Sequence, residues 1–147
     1  MAPSLINQNI EAMVHEAFSS QGMMKTLDAE IFSISAGKCS IGAPIGPAIT
    51  QQNGFAHAAA SFAIGDVACG CAALSTLDVG YGVLTSEMKI HLLAPAQGKR
   101  LIANAEVIRA GRRLVVTRAD VMAEAEDGAQ THVATLLGTI VPMAPKP

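Results

Sequence analysis

The chain has 147 residues, the length of one ordinary domain, and half of them are hydrophobic. A net charge of −2 argues against bulk binding to nucleic acid or to an anionic membrane, and no apolar run reaches the roughly 18 residues needed to cross a bilayer. The first residues carry no basic segment ahead of an apolar one, so we expect no secretory signal. Three cysteines suit a protein of the reducing cytoplasm better than a disulfide scaffold, and we expect them to be small buried hydrophobes.

Hydrophobic periodicity predicts an N-terminal helix over about 5–22 and a long second helix over 57–75. Short turns make consecutive strands antiparallel neighbours. The pattern therefore predicts an α+β protein in which one dominant helix packs on an antiparallel sheet of five or six strands, with 1–147 forming a single domain. Strands are expected at 26–35, briefly after 38, and at 82–93, 100–109, 113–123 and 131–141.

The 57–75 helix has an unusual composition, because 13 of the 18 residues from Ala56 to Ala73 are Ala, Gly, Ser or Cys. Its polar residues form no stripe, since His57 and Asp66 are nine apart, or about 180° around a helix. We therefore expect the sheet, or the sheet and a partner chain, to surround this helix. A charge in that setting is costly unless something specific holds it, so Asp66 is a functional candidate. The alternative is an Asp at an exposed or bent part of the helix, next to Gly65.

The segment that runs from Gln51 through Gly54 and His57 to Asp66 is similar to the signature of hotdog acyl-CoA thioesterases of the phenylacetic-acid-degradation type. Residues 84–121 resemble the same family's strand, Pro-Ala turn, strand, Gly-Arg hairpin and strand. The resemblance covers roughly residues 50–141. It implies the hotdog fold, in which an antiparallel sheet wraps a long central helix, and hydrolysis of an acyl-CoA substrate to a free acid and CoA without a cofactor.

The resemblance also implies roles for individual residues. Asp66 is the catalytic carboxylate, which either attacks the thioester or activates water. Gln51 binds the thioester carbonyl or positions water, the backbone N–H of Ala58 polarises the thioester oxygen, and the Thr85 hydroxyl orients the water. Each site lies between two subunits of a homodimer or homotetramer, so its Asp66 and its Gln51 come from different chains.

The physical chemistry of a helix end is consistent with this assignment. The first N–H groups of a helix have no internal acceptor, so the N–H of Ala58 is suited to a developing oxyanion. His57, the remaining member of the catalytic set, is expected to fix the loop before the helix by hydrogen bonding rather than to shuttle protons. No histidine lies at metal-ligand spacing from Cys, Asp or Glu, so we expect no metal site.

A second set of residues is expected to bind the substrate. Seven of the ten basic residues lie within 89–118, and arginine matches the geometry of the phosphates of CoA. A solvated basic turn is an equal alternative for two of these arginines, Arg112 and Arg113. The expected substrate-binding residues are Gly54, Ala59, Arg109, Arg112 and Arg113.

One departure from the family pattern leaves the function open. The family usually has Gly-Gly after the histidine, where this chain has Ala58-Ala59. The alternative function is therefore a non-catalytic acyl-CoA binder or sensor on the same fold. A related CoA-ester hydratase is a third possibility, although the Asp and His spacing that those enzymes use is missing.

Overall fold

The computed structural model describes residues 6–146, in which three α-helices and six β-strands follow one another. A single turn of 3-10 helix, Pro47–Ile49, precedes the third helix. The helices are α1 (Gln8–Ser19), α2 (Gly22–Thr26) and α3 (Ala58–Leu74), and the strands are β1 (Glu30–Ser35), β2 (Lys38–Pro44), β3 (Gly82–Leu92), β4 (Arg100–Ala110), β5 (Val115–Glu124) and β6 (Gln130–Met143).

All six strands belong to one antiparallel sheet with the order β1-β2-β4-β5-β6-β3. The hairpins β1–β2, β4–β5 and β5–β6 pair neighbours in the sequence, whereas β3 crosses over to pair with the last strand. The edges of the sheet are therefore β1 and β3. This confirms the predicted α+β class and the antiparallel sheet of up to six strands.

Helix α3 packs on the sheet and contacts β2, β3, β4, β5 and β6. Its small side chains permit this close approach. A Cβ added at Gly65 would lie 2.8 Å from both Cδ atoms of the fully buried Leu136, so a larger residue would separate the helix from β6. The remaining core is built mainly from Ala, Val, Ile and Leu, with Phe18 as a buried aromatic residue.

One face of α3 is not covered by the single chain, and we call it the uncovered stripe. Its residues follow helical spacing and are half-buried or exposed, although most of them are apolar. The sheet alone therefore does not surround the helix. The uncovered stripe consists of Ala59, Phe62, Ala63, Asp66, Val67 and Gly70.

Two predicted boundaries are wrong at the N-terminal end. The predicted helix over about 5–22 is interrupted after Ser19, because Gln21 has an extended backbone (φ −80°, ψ 118°) and begins a second helix. The predicted strand over 26–35 starts only at Glu30, because α2 continues to Thr26 and Asp28 adopts a left-handed turn conformation. Residue 5 of the predicted helix lies outside the described residues.

The three cysteines are buried and unpaired, as expected for small hydrophobic residues. Burial raises the pKa of the Cys69 thiol to about 12. A hydrogen bond with Cys71, together with burial, raises the pKa of the Cys39 thiol far above its usual range. The thiols of Cys39 and Cys69 therefore remain protonated at neutral pH, and all three cysteines contribute to packing.

A buried carboxylate connects the ends of β4, β5 and β6. Glu124 is only 6% exposed, and its Oε1 lies 2.7 Å from Arg100 Nη2 and 3.2 Å from Lys99 Nζ. Its Oε2 accepts a hydrogen bond from Gln130 Nε2 at 3.1 Å. The Gln130 hydrogen bond is the largest cause that lowers the pKa of Glu124, and together with Lys99 and Arg100 it outweighs the opposing effect of burial.

We predict that Glu124→Gln destabilises the protein at pH 7 and has little effect near pH 3. The pKa of Glu124 is lower in the folded state than its usual 4.5. Its ionised form therefore stabilises the fold above that value, and the contribution disappears as the pH falls through the folded pKa. Thermal unfolding between pH 3 and 7 measures this effect, with Glu126→Gln in the exposed β5–β6 loop as the control. A loss of stability that is equal at every pH would contradict the prediction.

Candidate active site

Asp66 forms a specific hydrogen bond with Thr85 where α3 meets the edge strand β3. The Thr85 hydroxyl donates to Asp66 Oδ1 at 2.7 Å. Asp66 is half-buried on the uncovered stripe, and Thr85 immediately precedes an irregularity in the pairing of β3 with β6. The carboxylate is therefore held in one orientation on a face that the single chain leaves open.

This pair lies at a cavity of about 530 Å³ between α1, α3 and the start of β3, which we call the Asp66 cavity. Helix α3 contributes Asp66 and the residues that follow it on the same face, and β3 contributes residues 82–85. Helix α1 forms another wall through Met13 and Ala17. Apart from the Asp66–Thr85 pair, the side chains of β3 and α3 that line the cavity are mostly apolar, including Val67, Leu74, Val83 and Leu84.

His57 caps the N-terminus of α3. Its side-chain Nδ1 accepts a hydrogen bond from the backbone N–H of Ala59 at 2.9 Å. The backbone N–H of His57 donates to the carbonyl oxygen of Ile49 at 2.7 Å. The backbone N–H of Ala60 donates a hydrogen bond to the His57 carbonyl oxygen at 2.9 Å. Among residues 6–146, the N–H of Ala58 has no acceptor, so it is available to a ligand.

Gln51 and Gly54 form the tight turn that leads into α3. The Gly54 N–H donates to the Gln51 carbonyl oxygen at 3.0 Å, and the Gln51 side-chain oxygen accepts the N–H of Asn53. Gly54 has a φ of +83°, which favours glycine, so the turn itself accounts for the residue at this position. The amide of Gln51 is thereby held close to the start of the helix.

Gln51, His57 and Ala58 line a second cavity of about 620 Å³, which we call the Gln51 cavity. Its other wall is the end of β3 and the turn that follows, with Leu92, Leu93 and the segment 94–96. The two cavities share no lining residue. Asp66 lies about 12 Å further along the helix axis than Ala58, so one chain does not bring the carboxylate to the Gln51 cavity.

Three of the seven basic residues of 89–118 form ion pairs, and the other four, which include Lys89 on β3, form none among the described residues. Lys99 and Arg100 pair with Glu124, and Arg118 pairs with Asp120 at 2.7 Å. Arg109, Arg112 and Arg113 are exposed at the end of the β4–β5 hairpin, and in the described part of the chain none of them has a carboxylate partner within 4.0 Å.

The strand register places this hairpin at the same end of the sheet as the Asp66–Thr85 pair. Ala110 pairs with Val115, Val115 with Ile140, and Ile140 with Thr85. With strands about 4.8 Å apart, Thr85 is roughly 10 Å from β5 and 15 Å from β4. The unpaired arginines are therefore within reach of a ligand much longer than an acyl group.

The described residues contain no cluster of three His, Cys, Asp or Glu side chains that could hold a metal ion. Nor do residues 6–146 include a helix that is long and apolar enough to cross a membrane.

Sequence reasoning missed the contribution of α1 to the Asp66 cavity. Met13 and Ala17 are four residues apart and share the apolar face of α1, which was visible in the periodicity. The surface against which that face packs was not visible in the sequence, because no local signal shows where a helix at the beginning of the chain docks. The docking of α1 near α3 is therefore set by tertiary contacts and could not be predicted from the local sequence.

Comparison with known proteins gives matches in both sequence and structure. A family model described as the thioesterase superfamily matches residues 53–129. A thioesterase family protein from Silicibacter pomeroyi has a similar structure, with 36% identity, a TM-score of 0.89, and coverage of 92% of this chain and 98% of that one. No protein with a curated description matches the sequence.

Two more distant structures share the fold. The Escherichia coli PaaI protein from the phenylacetic acid degradation operon is 18% identical, with a TM-score of 0.82 over 96% of this chain and 98% of that one. A Bacillus halodurans protein solved with CoA is 21% identical, with a TM-score of 0.72 over 92% of this chain and 83% of that one.

We predict that His57→Ala lowers the free energy of unfolding by about 1 kcal/mol, because the Ala59 N–H loses its cap. His57→Asn should retain most of that stability, since asparagine is a good N-cap acceptor. Urea unfolding of the three proteins measures the difference. Equal losses in both variants would show that capping is not the role of this side chain.

Proposed function

This chain belongs to the thioesterase superfamily and has its hotdog fold, and on that premise we propose that it hydrolyses acyl-CoA thioesters to free acids and CoA. The observation that carries the proposal is the 2.7 Å hydrogen bond from Thr85 to Asp66 at the mouth of an apolar cavity. It supports a fixed carboxylate beside a space that suits an acyl group. The free N–H of Ala58 supports a site for the carbonyl oxygen of the same thioester, where negative charge develops.

Asp66 acts as a general base or as a nucleophile. As a base, it takes a proton from water while the oxygen of that water attacks the thioester carbon. As a nucleophile, it attacks that carbon itself, and water then hydrolyses the resulting anhydride. In both routes the C–S bond breaks, the thiolate of CoA takes up a proton, and negative charge develops on the former carbonyl oxygen.

Thr85 supports either route through its single hydroxyl. Its proton is donated to Asp66 Oδ1, so its oxygen lone pairs are left to accept a hydrogen bond from water. Within the described residues, Asp66 Oδ2 makes no hydrogen bond and is free to receive a proton or to attack. Thr85 therefore orients the carboxylate and the water together.

The active site is proposed to form between two copies of the chain. The edge strand β3 exposes Leu84 and Leu92, which are 60% and 59% exposed, beside the uncovered stripe of α3. β3 is a long edge strand of 11 residues that also exposes Glu87 and Lys89, and its unpaired backbone groups can pair with a strand of another chain. A twofold axis through β3 would cover these residues in both copies.

Antiparallel pairing of β3 with its own copy explains how the two cavities become one site. The start of β3 lines the Asp66 cavity, and its end lines the Gln51 cavity. When two copies pair antiparallel, the start of one strand lies beside the end of the other. Asp66 and Thr85 of one subunit then face Gln51 and the Ala58 N–H of the other. The assembly is a homodimer, or a homotetramer of two such dimers.

Arg109, Arg112 and Arg113 are proposed to bind the phosphates of CoA. They are exposed, they lie at the Thr85 end of the sheet, and within residues 6–146 they have no ion-pair partner. The Bacillus halodurans structure that contains CoA has the same fold, which supports the capacity of this architecture to hold the nucleotide. Gly54 and Ala59 are proposed to lie next to the bound thioester.

A non-catalytic acyl-CoA binder is the second candidate function, and Ala58-Ala59 favours it. Ala58 lines the Gln51 cavity, so its methyl group takes space that a glycine would leave to the thioester. Release of free thiol distinguishes the two functions, because a binder retains acyl-CoA without producing thiol.

We predict that Asp66→Asn lowers kcat at least about 100-fold, as expected for loss of the base or nucleophile. Thr85→Val should lower kcat about 10-fold, because the carboxylate remains but is no longer oriented. A thiol-reactive dye measures CoA release from short, medium, long and aryl acyl-CoAs. The control is Asp78→Asn, an exposed acid in the loop before β3. An Asp66→Asn enzyme as fast as wild type would refute the catalytic role.

We also predict that the protein is at least a dimer, with a mass of about 30 kDa or more from a 15.1 kDa chain. Phe62→Glu should weaken assembly and activity together, because it places a charge on the uncovered stripe. Val79→Glu, in an exposed loop, serves as the control. Light scattering measures the mass, and a monomeric wild type with full activity would contradict the shared site.

A further inference from the structure

Within a single chain, Gly70 in the middle of α3 has no packing reason to be glycine. Glycine is less favourable than alanine in the interior of a helix, because it loses more conformational freedom on folding. Gly65 on the same helix is required by its contact with Leu136. A Cβ at Gly70, by contrast, would meet only Val83 Cγ2, at an ordinary contact distance of 3.9 Å. The fold would therefore accept alanine at this position and gain stability from it.

The position of Gly70 suggests what its missing side chain provides. Gly70 lies one turn after Asp66 on the same face of the helix and lines the Asp66 cavity opposite Val83. A side chain there would project into the gap between α3 and β3, immediately beyond the carboxylate. The missing side chain therefore leaves space in this cavity one helical turn beyond the carboxylate.

The α3 wall of the Asp66 cavity runs from Asp66 to Leu74. From Asp66 to Leu74 the helix advances eight residues, or about 12 Å. Along this length the walls are formed by Val67 and Leu74 of α3 and by Val83 of β3. Met13 of α1 contributes to the wall opposite the sheet, and Leu74 is almost fully buried. This length of the cavity is a mostly apolar channel that leads from the carboxylate toward Leu74, and Ser20, Gln21 and Tyr81 also contribute to its wall.

We propose that the acyl group of the substrate extends from Asp66 across Gly70 toward Leu74, and that Gly70 and Met13 determine its length. This inference rests on the proposed thioesterase function. A zigzag hydrocarbon with bonds of about 1.5 Å advances roughly 1.3 Å per carbon, so the channel accepts about six to ten carbons. The substrates are straight-chain acyl-CoAs of medium length. An arylacetyl group is shorter and would leave the Leu74 end of the channel unfilled.

The test is a chain-length profile of kcat/KM for acetyl-, butanoyl-, octanoyl-, dodecanoyl- and an arylacetyl-CoA. For wild type, each added CH₂ that enters the channel should raise kcat/KM up to about fourfold, with a maximum near octanoyl-CoA. Gly70→Val should lower the octanoyl-to-butanoyl ratio at least about 10-fold, because its methyl groups occupy the gap. Gly70→Ala should lower the ratio less, and Met13→Ala should move the maximum toward dodecanoyl-CoA.

Stability measurements separate this role from a structural one. Gly70→Ala should melt about 2–4 °C higher than wild type while its preference moves to shorter acyl chains. The matched control is Gly22→Ala on α2, where a new Cβ would meet no atom within 4 Å and no change in the chain-length profile is expected. A lower melting temperature for Gly70→Ala would indicate a packing role and overturn the proposal.

The remaining outcomes distinguish this inference from the proposed function. If wild type hydrolyses the panel and both Gly70 variants keep its octanoyl-to-butanoyl ratio, the channel is wrong and the thioesterase function stands. A wild type that prefers arylacetyl-CoA to octanoyl-CoA overturns the substrate class. If wild type releases no thiol, the thioesterase function fails. Calorimetry then tests the channel, and equal affinities of wild type and Gly70→Val for octanoyl-CoA overturn it.

Discussion

The close packing of α3 against the sheet is the constraint on which the rest of this structure depends. A helix built from small residues allows five strands to approach it, as the contact of Gly65 with Leu136 illustrates. On the opposite face of α3 the uncovered stripe remains partly exposed, although most of its residues are apolar. We propose that a second copy of the chain buries this face.

Asp66, the proposed catalytic carboxylate, lies on that open face, and the edge strand β3 holds it there through Thr85. Thr85 holds Asp66 near the start of β3, while Leu92 and Leu93 approach the Gln51 cavity at its end. Burial of the uncovered stripe and assembly of the active site are therefore proposed to be the same event. Water would be excluded from the Asp66 carboxylate only when the partner subunit binds and supplies its oxyanion donor. A chain that has not dimerised would therefore be a poor hydrolase.

The sequence predicted the central helix more accurately than the beginning of the chain. The predicted helix over 57–75 is observed as Ala58–Leu74, because His57 at the cap and the run of small residues are local signals. The N-terminal helix was predicted without its break, since the extended backbone of Gln21 depends on how α2 docks. The bond between Thr85 and Asp66 joins residues 19 apart, and only resemblance to a family pointed to both of them. No periodicity showed that α1 closes the cavity beyond Asp66.

The central claim is that each active site takes Asp66 from one subunit and Gln51 with Ala58 from the other. Subunit mixing tests it most directly, with Asp66→Asn and Gln51→Ala chains carrying different tags, refolded together and assayed for thiol release. Random pairing gives one intact site in every heterodimer, so the mixture should regain about a quarter of wild-type activity although each variant alone is strongly impaired. A mixture that contains heterodimers and remains as inactive as its parents would contradict the account.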